Sequence, residues 1–301
     1  MRRVFLPFLL LLFSFSLHAA TFKSHDGTTL YYDVVGKGEK VVLLSGGPGF
    51  SPEYLRPIAE KLGGQYAFVL FHQRGTGKSV VPVYDANALS LKNLVGDLEA
   101  LREELKVERL TIAGHSFGGI LSMMYAREHP QRIAKLALID SGGPTLKSVM
   151  KFNANLEARF SEEDRARIKE WSGEKLKEQH RRAVMEITKA KTAAYFADRA
   201  KAKLLMDSMT EESFHDGVFW SIVPQMMALD LRAGLEKVKA PVLVIHGKQD
   251  PLETAAEVHE TFPGSRLEIV ENAGHFPWLE QPERFYKIID DFLSEGHGSC
   301  S

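Results

Sequence analysis

Short apolar runs alternate with amphipathic stretches along most of the chain. Residues 29–35 alternate apolar and polar positions, the period of a strand with one buried face. Residues 41–44, 67–71, 110–113, 133–139, 241–246 and 266–270 are apolar-rich runs, too short for helices, and predict strands buried on both faces. Between them Leu91, Leu94, Val95, Leu98, Leu101 and Leu105 recur at helical spacing, so residues 91–105 predict a helix. Residues 119–128, halted before Pro130, and residues 282–293 predict two more. Such alternation implies an α/β chain with a mostly parallel central sheet and helices on both faces.

The rhythm breaks once. From about Gly143 to Leu235 no convincing strand pattern is found. Residues 147–160, 161–171 and 174–205 all read as helix, the second opening on a capping box of Ser161 and Asp164. Strands then resume, so the segment is expected to be an inserted helical cap over the carboxyl edge of the sheet, where open α/β sheets bind ligands. The expected organisation is a core of residues 21–143 and 235–295, a cap at 144–234 and a flexible tail at 296–301. Residues 1–20 stand apart. Arg2 and Arg3 precede an apolar run from Val4 to Leu17, shorter than the roughly 20 residues a bilayer crossing needs. Ala19 and Ala20 then offer small residues for cleavage. The pattern predicts a signal peptide and a secreted or periplasmic protein, with no stable membrane insertion once the leader is gone.

Composition acts mainly by exclusion. Lys plus Arg (38) nearly balance Asp plus Glu (39), which leaves no electrostatic footprint for nucleic acid. Cys300 is the single cysteine, so neither an intramolecular disulfide nor a Cys-rich metal site can form. Gly75-Thr76-Gly77-Lys78-Ser79 mimics the end of a P-loop, but the first glycine of that motif would fall on His72. G-x-G-x-x-G and H-E-x-x-H do not occur, and the histidines lack ligand spacing. No cofactor or metal is implied. The expected partner is a small peptide or ester substrate.

Three motifs carry chemistry. Gly114-His115-Ser116-Phe117-Gly118 fits G-x-S-x-G between a strand and a helix, a sharp turn that exposes the Ser116 hydroxyl. His246-Gly247-Lys248-Gln249-Asp250-Pro251 sets a carboxylate just past a late strand, and Asn272-Ala273-Gly274-His275-Phe276-Pro277 sets a histidine past the last one. Singly, each also suits an ordinary Gly-rich turn, a capping aspartate or a satisfied loop histidine. Together, Ser116, Asp250 and His275 stand in the order nucleophile, acid, base. Ser116 is a weak nucleophile until His275 takes its proton, and Asp250 holds the imidazole tautomer. Asp140, after the strand at 133–139, is the rival acid. The oxyanion needs two N–H donors: Phe117, following the nucleophile, and Gly47 in Ser45-Gly46-Gly47-Pro48-Gly49, with Gly46 as the fallback. His115 and His246 read as structural. Phe50, Phe117 and Trp278 suit either a pocket wall or core packing.

Gly46-Gly47-Pro48-Gly49, Gln73-Arg74-Gly75-Thr76-Gly77-Lys78-Ser79, the elbow around Ser116 and Asn272-Ala273-Gly274-His275 together resemble the proline iminopeptidase (prolyl aminopeptidase) branch of the α/β-hydrolases. The resemblance covers the core, about two thirds of the chain. Two positions depart from that branch: Ser45 stands where it usually has histidine, and His72 where it usually has aspartate. The resemblance implies a serine aminopeptidase releasing N-terminal proline or small apolar residues, with the free amine held by acidic cap residues. Glu157, Glu162, Glu163, Glu186 and Asp216 are the candidates, although the cap as a whole, with 16 Lys plus Arg against 14 Asp plus Glu, has no acidic bias. A carboxylesterase or lactonase-type acyl hydrolase on the same triad is the alternative. A non-catalytic binding protein that kept the fold is the third reading.

Overall fold

The computed structural model describes residues 17–145 and 147–295. Among these, eight strands form one sheet: β1 (Leu17–Lys23), β2 (Thr29–Gly36), β3 (Glu39–Leu44), β4 (Tyr66–His72), β5 (Leu110–His115), β6 (Ile133–Ile139), β7 (Val242–Gly247) and β8 (Arg266–Val270). Their order is β1-β2-β4-β3-β5-β6-β7-β8. The first two pairings are antiparallel and the rest parallel. β2 to β8 follow the apolar runs. β1 was not anticipated: it includes Leu17 to Ala20, the end of the expected leader, paired with Val35 to Tyr32. Residues 1–16 of the expected leader, and the tail expected at 296–301 with Cys300, lie outside the described residues.

Alternation along the central strands splits the core in two. Val42 and Leu44 of β3, with Val69 and Phe71 of β4, face one apolar cluster; Val41, Leu43, Phe68 and Leu70 face the other. Helices α1 (Arg56–Leu62), α2 (Leu91–Glu104) and α3 (Phe117–Glu128) cover these faces. Ser90 caps α2 by accepting the Asn93 N–H at 3.1 Å, and Leu94, Leu98 and Leu101 deliver its apolar stripe to the first cluster. The predicted helix at 119–128 starts two residues earlier, so that α3 begins directly after Ser116.

Between β6 and β7 the described residues hold helices and turns and no named strand: α4 (Lys147–Ala158), α5 (Glu162–Trp171), α6 (Glu174–Glu178), α7 (His180–Thr192), α8 (Ala202–Met206) and α9 (Asp216–Met226). The Ser161–Asp164 capping box forms in both directions, at 2.8 and 3.1 Å. The single helix expected over 174–205 is broken. Its backbone leaves the helix after Thr192 because those peptide groups bond to the core: Tyr195 O accepts the His275 N–H at 2.9 Å, and the Ala197 and Asp198 N–H groups donate to Glu280 Oε1 at 2.8 and 3.0 Å. Tertiary bonds outweigh local helix propensity here. After β7 come α10 (Ala255–Thr261), α11 (Pro277–Glu280) and α12 (Pro282–Ser294), whose Phe285, Ile288, Ile289 and Phe292 fill the second cluster. Among the described residues no helix is long and apolar enough to cross a membrane.

Candidate active site

Strand register gathers the candidate residues. Leu44 lies opposite Gly114, His115 opposite Ile139, Ile139 opposite Ile245, and Gly247 opposite Val270. The loops carrying Gly47, Ser116, Asp140, Asp250 and His275 therefore leave the same carboxyl edge side by side.

Ser116 sits at φ 55°, ψ −117°, a conformation that costs free energy for a residue with a Cβ. It is held there by its N–H on Ile139 O and by its own carbonyl, which accepts from Gly119 and Gly142, all at 3.0 Å. The glycines of the elbow are required by close approach. A Cβ on Gly118 would lie 2.2 Å from Leu44 O, and one on Gly114 would lie 2.4 Å from Gly118 O. The turn thus fits directly against β3.

Behind the serine, His275 Nδ1 lies 2.7 Å from Asp250 Oδ2, with both residues buried. Nδ1 donates to that carboxylate, which leaves Nε2 free to accept a proton. Burial alone would raise the Asp250 carboxyl, but the charge and hydrogen bond of His275, with a Leu252 N–H at 2.8 Å, bring it below the usual range. His275 and Ser116 line the same cavity. No hydrogen bond joins Ser116 Oγ to His275 among the described residues; such contacts often close only around substrate. Asp140 lies in the loop after β6 and makes no hydrogen bond to His275; its Oδ1 accepts the Gly247 N–H at 2.7 Å.

The N–H groups of Gly47 and Phe117 have no hydrogen-bond partner among the described residues, as an oxyanion site requires. Gly46 N–H, the fallback donor, is engaged by the Tyr54 hydroxyl at 2.7 Å. Gly46 instead supplies space, since a Cβ there would lie 2.8 Å from Ser116 Cβ.

Tyr54 belongs to a directed relay that sequence gave no sign of. His115 Nε2 is 2.9 Å from the His275 carbonyl, which can only accept, so Nε2 carries the hydrogen. Burial, with His275 nearby, holds the His115 imidazole well below its ordinary pKa, so it is neutral and Nδ1 accepts from Tyr54 Oη at 2.7 Å. The Tyr54 oxygen in turn accepts from Gly46. One chain of hydrogen bonds therefore ties the oxyanion turn to the backbone of His275.

The Gln73–Ser79 motif braces the floor. Gln73 Nε2 donates to Ser45 O and Oγ, both at 2.8 Å, while Ser45 Oγ donates to Phe50 O at 2.6 Å. Buried Arg74 grips Asp97 from Nε at 2.9 Å and Nη2 at 2.6 Å. His72, in the other departing position, is buried with Nε2 3.5 Å from Asp33 Oδ2. Neither Ser45 nor His72 lines the cavity.

A cavity of about 600 Å³ opens over Ser116. Its wall is largely apolar, with Phe152, Leu156, Val184, Phe214, Phe219 and Trp220 from the helical segment and Phe50 from the core. Phe117 and Trp278 pack in the core instead. The carboxylates on the wall are Glu53 and Asp216. Glu53 is committed to Arg56 Nε at 2.7 Å, and Asp216 Oδ2 lies 2.9 Å from His180 Nε2. Glu157 and Glu162 do not reach the wall, while Glu163 and Glu186 line a separate surface groove, where Glu186 pairs with Arg167.

Glu280, another residue that sequence did not single out, is buried beside His275. Besides the Ala197 and Asp198 N–H groups on Oε1, it accepts the Gly274 N–H on Oε2 at 2.6 Å. In sequence it is an ordinary helical glutamate, and only the loop geometry shows its task.

Comparison with known proteins agrees with this architecture. Residues 40–282 match the family described as the α/β-hydrolase fold. A proline iminopeptidase of Saccharolobus solfataricus is 25% identical over 91% of this chain and 92% of its own. Among solved structures, an esterase from Exiguobacterium antarcticum superposes with a TM-score of 0.65 at 24% identity, covering 91% of this chain and 99% of that one. A proline iminopeptidase of Mycobacterium smegmatis superposes with a TM-score of 0.66 at 21% identity, covering 92% and 98%.

Proposed function

This chain belongs to the α/β-hydrolase fold family, and on that premise we propose that it is a serine hydrolase working through an acyl-enzyme on Ser116, an aminopeptidase that releases N-terminal proline or small apolar residues from peptides. Ser116 Oγ attacks the scissile carbonyl carbon while His275 Nε2 takes its proton, and Asp250 stabilises the resulting imidazolium. The oxyanion is received by the N–H groups of Gly47 and Phe117. When the tetrahedral adduct collapses, the C–N bond breaks and the imidazolium protonates the departing amine. Water, deprotonated by the same imidazole, then attacks the ester and frees Ser116 with the released residue.

The observation that carries the peptide reading is Asp216. It is the carboxylate that the helical segment contributes to an otherwise largely apolar wall. Phe214, two residues before it, forms an isolated β-bridge with Phe50, three residues past Gly47. The carboxylate is thereby tied to the oxyanion turn, where the α-ammonium of a bound substrate needs a counter-charge. The iminopeptidase relative supports the same reading. The apolar remainder of the wall favours a second one, an acyl ester hydrolase in which Asp216 serves only His180.

The readings part on a blocked amine. Acetylation of a prolyl arylamide removes the positive charge, and a site built to pair it rejects such an analogue by about 10⁴ or more, against about 10² for an apolar pocket. The expected result is rapid cleavage of the free arylamide and loss of at least about 10³ in kcat/KM for the acetylated one. Equal cleavage of the two, or turnover of a simple ester alone, would replace the aminopeptidase with the esterase.

A further inference from the structure

Asp140 follows β6 fully buried beside Asp250, and the mechanism above leaves it without a task. Its backbone has a positive φ of 41°. Oδ1 accepts the Gly247 N–H, but Oδ2 is buried with no hydrogen-bond partner. The groups facing it offer no donor. His246 Nε2 donates to Leu252 O at 2.8 Å and burial keeps that ring neutral, so the Nδ1 turned toward Asp140, 3.9 Å from Oδ1, is a bare acceptor. Asp250 is an acceptor too, already holding the His275 and Leu252 N–H groups. Glu280 adds further negative charge from the His275 side. A charged Asp140 would be a buried anion beside another anion, with no cation of its own and one oxygen unsatisfied.

We propose that Asp140 is held as a neutral carboxylic acid whose Oδ2–H donates to the Asp250 carboxylate, and that it is a positioning residue for Asp250. One proton removes the orphan and the repulsion together. Burial, followed by the charge of Asp250, drives the Asp140 carboxyl well up, while Asp250 is held down by His275. The bond fixes the rotamer of Asp250 and disperses its charge, so the proton taken from Ser116 stays on the imidazole instead of passing to the carboxylate. The two carboxyl groups thus play opposite parts, one ionised and one neutral, set by their surroundings. The inference rests on the reading of Asp250 as the acid that orients His275.

The test uses the whole protein in two arms. Infrared difference spectra at neutral pH should show a protonated-carboxyl C=O band that disappears in Asp140→Asn. In the kinetic arm, Asp140→Asn keeps both an acceptor for Gly247 and a donor for Asp250. It should hold kcat/KM within about threefold and leave the acid limb of the pH profile in place. Asp140→Ala loses the donor and should lower kcat about tenfold or more at unchanged KM, with the acid limb displaced upward. A missing band overturns the proposal. So does an acid limb that falls by about one pH unit or more in Asp140→Asn, the mark of a lost negative charge. Stoichiometric divalent metal in the purified protein would also overturn it, since a cation between Asp140, His246 and Asp250 would replace the proton. Should Asp140→Ala fail to fold, the band and the asparagine profile still decide. Should the wild type turn over no substrate, the functional reading fails and the band alone decides Asp140.

Discussion

The Tyr54 hydroxyl stands between two parts of the site that must not move independently. On one side it receives the Gly46 N–H of the oxyanion turn; on the other it donates to His115, whose second nitrogen holds the His275 carbonyl. Oxyanion donors and general base contribute only when held within a fraction of an ångström of their working positions. Tyr54→Phe keeps the ring and removes only the oxygen. It frees Gly46 N–H to compete for the oxyanion and leaves His115 Nδ1 unpaired. The expected outcome is a fall in kcat of about 10- to 100-fold, with KM within about twofold and a loss of roughly 1–3 kcal/mol in unfolding free energy from the unpaired buried groups. Steady-state kinetics with denaturant unfolding checks this, and an unchanged kcat would show that the turn and the histidine are positioned independently. No feature of the sequence marks Tyr54 for this task, because its partners come from residues eight and 61 positions away. The grouping of Ser116, Asp250 and His275 was legible, since each follows a strand in a motif whose backbone demands are local.

At the scale of elements, the junction between the helical segment and the core rests on Glu280 at the end of α11. Its carboxylate accepts three peptide N–H groups, two from the chain after α7 and one from the loop bearing His275. Glu280→Ala leaves those donors without a protein acceptor at a cost of roughly 1–3 kcal/mol each where water cannot reach them. With partial hydration, a loss of about 2–4 kcal/mol in unfolding free energy is expected. Urea denaturation measures it, and a change under about 0.5 kcal/mol would mean that this junction contributes nothing to stability. Strands β3 to β7 were legible because burial on both faces writes a near-continuous apolar run, and β2 because its buried face writes an alternation. The break after Thr192 was not, because its cause is bonding to residues some 80 positions away. β1 was hidden for a different reason. Its first residues have an apolar and small-residue composition that also suits the end of a leader, and the pairing with β2 is not written in that composition.

At the scale of the whole molecule, the sheet formed by the described residues brings five loop positions to one edge, and the helical segment roofs them with an apolar wall that contributes Asp216, while the core contributes Glu53. The departing positions are engaged below the site: Ser45 bonds to Gln73 and Phe50, and His72 lies against Asp33. The proposed mechanism puts the chemistry on Ser116 whatever the substrate. Mass spectrometry after brief incubation with a p-nitrophenyl ester, quenched in acid and digested, tests that most directly. One acyl adduct per chain is expected, on the peptide containing Ser116, absent from Ser116→Ala. Hydrolysis that continues with the adduct on another residue, or that persists in Ser116→Ala at a tenth of the original rate or more with the fold intact, would contradict the account.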